Sequence, residues 1–418
     1  MKTIADINNK IKSGKAVVYT ASEFKELVRE NKTPSAEEVD VVTCGTCGIM
    51  SGTFAVMTVP VGEPGAFRRA ESITLNGVPA FPGPCPNEGL GTVDLIVYGT
   101  SHADESYGGG HLLRDIVEEK EIEVVAVSEG KTYENLIYGE DIQSARLITS
   151  RSAFKNYSAI VNRDTDPYNT IFSVLPLIGG LSEATVSGCG EINPLQNDPF
   201  MRFIKAGAGI LLNGAPGFIM GTGTRSSQEK PNIAAFADMK DMSPELMGGF
   251  ITSAGPECLV SVAAAIPVTD EETIKSLSVL DEDIPLPVAD VKHRETIGYS
   301  DYGQIWQNTD HRVIVNPLNC MFCGECPAAV ACPTKAIMPG GGVIFSRCVS
   351  CGTCTTTCPG EVYTMEMGTI KVGDQEIPVT LRQSDRTKGE EISAMLKDMI
   401  NRGHFSFCDT GEEKDGGI

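Results

Sequence analysis

Between Cys320 and Cys358 the chain places eight of its 14 cysteines, in two copies of one spacing. The second copy is Cys348-x2-Cys351-x2-Cys354-x3-Cys358-Pro359, the thiol run that holds a [4Fe–4S] cluster. The first is Cys320-x2-Cys323-x2-Cys326-x5-Cys332-Pro333, longer by two residues in its last gap. Three closely spaced thiolates bind three irons of one cubane. The fourth, ahead of a proline, reaches across to the other cluster. This logic assigns Cys320, Cys323, Cys326 and Cys358 to one cluster, and Cys348, Cys351, Cys354 and Cys332 to the other. The longer gap, in which residues 328–331 lie, extends a loop without removing a ligand. A pair of zinc sites is the competing reading, but zinc loops usually carry two thiols each. Three thiols per loop, then Cys-Pro, then a repeat of the whole unit favour iron–sulfur chemistry.

Nothing upstream has that density, so the thiols mark a small module set into a larger ordinary domain. We expect an α/β (mixed α+β) main domain over 1–310, a ferredoxin-like 2[4Fe–4S] domain over 311–365, and a strand–helix extension over 366–418. Thr20-Ala21-Ser22-Glu23 is a capping box for a helix that stops before Pro34. Segments 39–43, 93–98 and 122–127 read as buried strands, and Leu112, Leu113, Ile116 and Val117 as a helix face. Beyond residue 150 the pattern turns glycine-rich, which fits either close approach to a ligand or a turn-rich β region. The extension reads as strands at 369–372 and 377–380 and a helix over 388–401. Residues 409–418, charged and glycine-rich, read as a disordered end.

The net charge of −21 removes any electrostatic case for nucleic acid or an anionic membrane surface. The longest apolar stretch, 258–268, is too short for a membrane span and contains Ser261 and Pro267. The N-terminus carries Asp6 and no continuous apolar core, unlike a signal peptide. A cytoplasmic protein is the expectation, and there many thiols argue for metal or redox chemistry rather than disulfides.

The six remaining cysteines divide. Cys44-Gly45-Thr46-Cys47, read as a glycine-rich turn at the end of the 39–43 strand, could be a redox dithiol, a persulfide carrier or half of a metal site; the bland alternative is two buried small hydrophobes. Cys85 and Cys189 lie between turn residues, where chemistry is commonly placed. Joined to Cys44 and Cys47 they would make four thiols, the count for a third cluster or a zinc. Cys258 sits in an apolar run and reads as core, and Cys408 as incidental. Gly130-Lys131-Thr132 fails as a P-loop because position 125 is Val125. Gly108-Gly109-Gly110-His111 opens a helix and is either an anion-binding turn or a flexible one.

Several ordered segments resemble the homocysteine-biosynthesis family: Gly45 to Met50, Leu75 to Pro79, Gly108 to His111, Arg151 to Asn162, Asn193 to Pro199, Gly214 to Phe218, and Asp238 to Met242. With a ferredoxin module on the same chain, the whole is similar to the methanogenesis marker 16 metalloproteins of methanogenic archaea. The resemblance implies reductive sulfur chemistry: homocysteine made from aspartate semialdehyde and a sulfur source, with a cysteine persulfide as carrier and electrons from a partner. The family's pattern places a nucleophilic Cys after the Met, where this chain has Ser51, and a second thiol in an Asp-Cys-Tyr segment near Tyr133. Serine cannot hold a persulfide, so Cys47 or Cys44 would take that role if the reaction survives. On this reading Arg151 and the Gly108–His111 turn hold anionic groups of a small, carboxylated substrate, and His111 and Asp198 are acid/base candidates. The alternative is an electron-transfer or maturation protein in a methanogenesis-linked assembly, steered to a basic partner by its acidic surface. A homo-oligomer is left open by both readings, and clusters serving stability alone is the weakest of the three.

Overall fold

A computed structural model describes residues 2–83 and 85–408. The expected end segment, 409–418, lies outside the described residues. Alternation of burial builds the first layer. Along Thr53–Pro60 every second residue is buried, with Ala55, Met57 and Val59 on the core face, the period-two pattern of a sheet with one covered face. Gly255–Pro267 is instead buried along nearly its whole length, so both of its faces are covered. These strands belong to a 14-stranded, mostly antiparallel sheet. At one end Val18–Thr20 lies parallel to Val41–Ile49, which pairs with Gly255–Pro267. At the other end the Ile122–Ser128 and Lys131–Ile137 strands form a hairpin whose turn is Glu129-Gly130, both with positive φ. That turn is what the sequence offers at Gly130-Lys131-Thr132.

The second layer is a six-stranded sheet assembled from four distant segments. Its order runs Thr296–Asp301, Pro285–Asp290, Ala159–Val161, Ala184–Val186, Gln375–Arg382 and Thr369–Val372. The chain leaves this sheet after Asp301 and re-enters it at Thr369, so the thiol-rich segment is an excursion from it. The expected boundary at 366 falls between strands of that one sheet. The glycine-rich middle of the chain is accordingly the turn-rich β region.

The C-terminal helix, Arg386–Asn401, closes the arrangement. Asp385 caps it by accepting the Lys388 N–H at 3.0 Å. Ile392, Leu396 and Ile400, on one helical stripe, are fully buried against Val41, Ala263 and Ala265. Each such side chain contributes roughly 1.5–3 kcal/mol of gross burial. Among the described residues no helix is long and apolar enough to cross a membrane.

Candidate functional site

The two thiol repeats share one backbone design. Each gives a short strand, a three-thiol loop, a five-residue helix, a fourth thiol and a returning strand. The helices are Pro327–Ala331 and Thr353–Thr357; Ile314–Val315 pairs with Tyr363–Thr364, and Ile337–Met338 with Gly342–Val343. Within each first C-x2-C the residue before the second Cys is left-handed: Phe322 at φ 51° and Ser350 at φ 46°. Three residues beyond each Cys-Pro cysteine the chain is left-handed again, at Lys335 and Glu361, both φ 53°.

Cys332, Cys348, Cys351 and Cys354 line one pocket, the set that spacing groups together. Backbone amides already point at two of these sulfurs, Ala336 N–H at Cys332 (3.2 Å) and Ser350 N–H at Cys348 (3.4 Å), as thiolate ligands require. Burial, then the neighbouring Cys332, pushes the Cys351 thiol up to about 12, a cost that binding iron as thiolate removes. On the other side Tyr363 faces Cys326, Cys354, Cys358 and Cys320. Its hydroxyl is buried without a hydrogen-bond partner, and sulfur of a bound cluster would supply the acceptor. Among the described residues no three His, Cys, Asp or Glu side chains converge tightly enough for a single ion. A cubane asks for something wider, because each of its four thiolates binds a different iron. The residues present fit two clusters.

The upstream thiols are placed otherwise than the sequence reading expects. Cys44 and Cys47 lie inside Val41–Ile49, not in a turn beyond a shorter strand. The glycines that mimic a turn are there because other backbone comes close. A methyl on Gly45 would overlap the Gly389 carbonyl, and one on Gly48 would sit 3.0 Å from Ser384 Oγ. Residues three apart on a strand point to opposite faces with Cα atoms about 10 Å apart, beyond disulfide reach. Cys44 joins the main core, with its thiol pushed up to about 12 by burial. Lys25, near it and fully buried, is pushed down to about 8 by burial. Cys85 is exposed, while Cys44, Cys47 and Cys189 are buried, so the four do not form one site. Cys189 accepts from Thr46 Oγ1 at 3.4 Å and lies 3.7 Å from the Cys47 carbonyl oxygen. Cys258 is core, and Cys408 is exposed, donating to Gly207 O.

Cys47 stands at a junction. Register pairs it with Ser261, and Ile49 with Leu259, so these side chains share one sheet face with Glu257. The C-terminal helix covers that face up to its own N-terminus, where the Asp385 N–H donates to Cys47 O at 3.0 Å. From there the cluster loop takes over: Val349, Cys351 and Leu381 pack on Leu259 and Phe250. A pocket at the seam is lined by Cys47, Arg114, Arg347, Lys388, Thr334 and Val349, among others. Thr334 and Val349 also line the pocket of the inner thiols. Burial, then the Asp385 carboxyl, holds the Cys47 thiol at about 12; the Ser261 hydroxyl and Lys388 oppose them. Asp385 itself is pushed up to about 6 by burial. Arg114 and Arg347 share Glu118 at 2.9 and 3.3 Å, and Lys388 donates to Glu245 O at 2.5 Å.

The other sequence candidates have structural employment. The Gly108–Gly110 amides do not await an anion. Gly108 N–H donates to His111 Nδ1, Gly109 N–H to Ser101 O and Gly110 N–H to Gly99 O. His111 is pushed down to about 4, chiefly by burial, and its Nε2 is buried without a partner. The Asp198 carboxylate accepts the N–H groups of Arg202, Phe203 and Ile204 at 2.8–2.9 Å, which makes it the anchor of a turn. Arg151 lies over the Phe154 ring at 5.8 Å. Ser51 lies near Glu257, whose carboxyl burial pushes above the usual range and whose Oε2 has no partner. Asp385, Lys388, Arg114, Arg347 and Glu257 escape sequence reasoning. Glu257 alone leaves a local signal, as a charge inside an otherwise apolar strand.

A family model described as homocysteine biosynthesis enzyme, sulfur-incorporation, matches residues 16–407. The chain belongs to this family. A relative from Methanothermobacter thermautotrophicus, described as an uncharacterized protein, is 47% identical over 96% of this chain and 94% of its own. One from Methanocaldococcus jannaschii, described likewise, is 42% identical over 93% and 98%. Proteins named L-aspartate semialdehyde sulfurtransferase from Methanocaldococcus jannaschii and Methanosarcina acetivorans are each 31% identical, over 69% of this chain and 58% of theirs. No solved structure matches. Within the homocysteine-biosynthesis family the match extends through the thiol module and into the C-terminal helix, so the seam around Cys47 lies wholly inside it. Of the two positions where the resemblance leads one to expect thiols, Ser51 lies in the turn that follows the Cys47 strand. Tyr133 lies on an end strand of the large sheet, its hydroxyl donating to Ala66 O at 3.1 Å.

Proposed function

We propose that this protein carries out reductive sulfur transfer to a small carboxylated aldehyde of the aspartate semialdehyde class, with Cys47 as the sulfur carrier and two [4Fe–4S] clusters in the thiol module. One observation carries the reading. Cys47 lies on the sheet face that the inner thiol loop covers, in a pocket with Arg114, Arg347 and Lys388. Turning an aldehyde and the outer sulfur of a Cys47 persulfide into a thiol, water and the free Cys47 thiol takes four electrons and four protons. Clusters bound by the eight cysteines supply electrons one at a time at low potential.

The chain's own residues do the rest. The three cations draw a carboxylate into a seam from which packed side chains exclude water, and there each charge contact counts for more than in solvent. The Cys47 thiol is held neutral by burial and by Asp385. A persulfide on it is more acidic than the thiol, so the Lys388 ammonium and the N-terminal end of the C-terminal helix favour its anion. Asp385 is within its titration range near neutrality and can return a proton.

The test first loads anaerobic holoprotein with polysulfide, a sulfane-sulfur donor, removes the excess, then adds aspartate semialdehyde and a low-potential reductant and measures homocysteine. Mass spectrometry of the Cys47 peptide reads the persulfide. Wild type and Ser51→Ala should form product and Cys47→Ser should not. Undiminished product from Cys47→Ser refutes the assignment. No product and no persulfide from wild type leaves the electron-transfer reading.

A further inference from the structure

The two C-x2-C loops have the same backbone twist but opposite surroundings. In the inner loop the intervening residues are Val349 and Ser350, 6% and 8% exposed. They are covered by Phe250, Leu259 and Leu381 of the main body, and the Arg382 N–H ties down Cys351 O at 2.9 Å. In the outer loop the equivalent residues are Met321 and Phe322, 66% and 82% exposed, preceded by Leu318 at 94%. Cys323 is exposed as well. An exposed aromatic held at positive φ costs about 1–2 kcal/mol. Solvation gives no return for that cost, whereas contact with a partner would. One loop of an internal repeat thus has its cover built into the chain, and the other presents the same geometry bare.

We infer that Leu318, Met321 and Phe322 form the docking surface for a small, low-potential electron-transfer protein. A cluster held by Cys320, Cys323, Cys326 and Cys358 would lie nearest that partner and accept its electrons, and one held by Cys332, Cys348, Cys351 and Cys354 would lie nearest the Cys47 seam. The occupant follows from what lies beneath the patch. Whatever covers these side chains comes against the thiols of one cluster set, while the inner set is already closed by the site that consumes the electrons. Each encounter oxidises the partner by one electron and reduces the module by one. The inference rests on the reductive reading for the electrons' destination, but the docking surface can be tested alone.

Phe322→Ser copies the residue that the inner loop tolerates in this conformation, and Leu318→Asn removes the most exposed apolar group. Both are made in full-length holoprotein whose iron content is first shown unchanged. Bleaching of the iron–sulfur absorbance is followed by stopped flow with two reductants, a reduced two-[4Fe–4S] ferredoxin in screening salt and dithionite. The variants should slow reduction by ferredoxin roughly tenfold or more, the effect of losing one apolar anchor, and leave dithionite unaffected. Equal ferredoxin rates in wild type and variants overturn the inference. So does a wild-type dimer that Phe322→Ser dissociates, because the patch would then belong to a second copy of this chain. Cys47→Ser separates the two claims. It should abolish homocysteine while reduction by ferredoxin stays at the wild-type rate.

Discussion

Two glycines face each other where the C-terminal helix crosses the thiol strand, and the structure predicts opposite outcomes for them. A Cβ at Gly45 would overlap Gly389 O and lie 2.9 Å from Gly389 C. Carbon atoms in packed interiors sit about 3.5–4.0 Å apart, so Gly45→Ala must push helix and strand apart by about 1 Å. Overpacking of that size costs about 1–3 kcal/mol. At about 2–4 °C per kcal/mol for chains of 150–250 residues, and less for longer ones, the midpoint should fall by a few degrees. A Cβ at Gly389 meets Ile192 Cδ1 at 3.1 Å and Gly45 O at 3.2 Å, contacts that a few tenths of an ångström relieve. Alanine there also gains about 1 kcal/mol of helix propensity, so Gly389→Ala should be neutral or slightly stabilising. Anaerobic calorimetry of both variants, at unchanged iron content, makes the comparison. Persulfide loading should fall only in Gly45→Ala, because the same helix brings Asp385 and Lys388 to Cys47. A Gly45→Ala protein as stable as wild type would refute the close crossing, and with it the placement of those two groups.

Arg386 lies between two buried carboxylates, Asp281 and Glu191. Arg386→Met leaves Asp281 without a cation, while Glu191 keeps Arg29, and should cost about 3–5 kcal/mol, read as a lowered midpoint in the same calorimetry. Asp385 is raised by burial from 3.8 to about 6, so the folded state binds more protons than the unfolded one and stability falls as pH rises through that interval. The effect is about 3 kcal/mol in all, roughly half of it between pH 5 and 7.5. Asp385→Asn keeps the helix cap and should lose this pH dependence; midpoints of both proteins at the two pH values check it.

The thiol module is legible in sequence because its ligands are local: spacing within some forty residues fixes which sulfurs share a pocket. The C-terminal helix is legible for the same reason, from Ile392, Leu396 and Ile400, although its Asp385 cap precedes the visible pattern. Gly45 and Gly48 mislead, since local rules read paired glycines as a turn and the cause here is Gly389 and Ser384, more than three hundred residues away. The six-stranded sheet is assembled from strands near 160, 185, 290 and 375, and no periodicity announces that pairing. The site at Cys47 shares this difficulty. Arg114, Arg347 and Lys388 meet it only through the packing of one face.

That face also bears on the chemistry expected of Ser51. The strand that carries Cys47 ends at Ile49, and Ser51 lies in the turn that follows it. At Ser51 the neighbour is Glu257, whose burial favours the protonated carboxyl; a neutral acid takes no proton from serine and leaves its hydroxyl a weak nucleophile. At Cys47 burial and then Asp385 disfavour a sulfur anion, and Lys388 and the helix N-terminus oppose them, enough to matter for a persulfide, which is more acidic than the thiol. A carrier four residues upstream of the family position lies within the strand, in the pocket that the cations of the seam line. On the proposed reading, restoring the family thiol by Ser51→Cys adds a sulfur beside Glu257 but not a working carrier. Ser51→Cys/Cys47→Ser should therefore remain inactive unless Glu257→Gln is added to remove the buried acid. Homocysteine formation by the double variant alone would place the reaction at the family position after all.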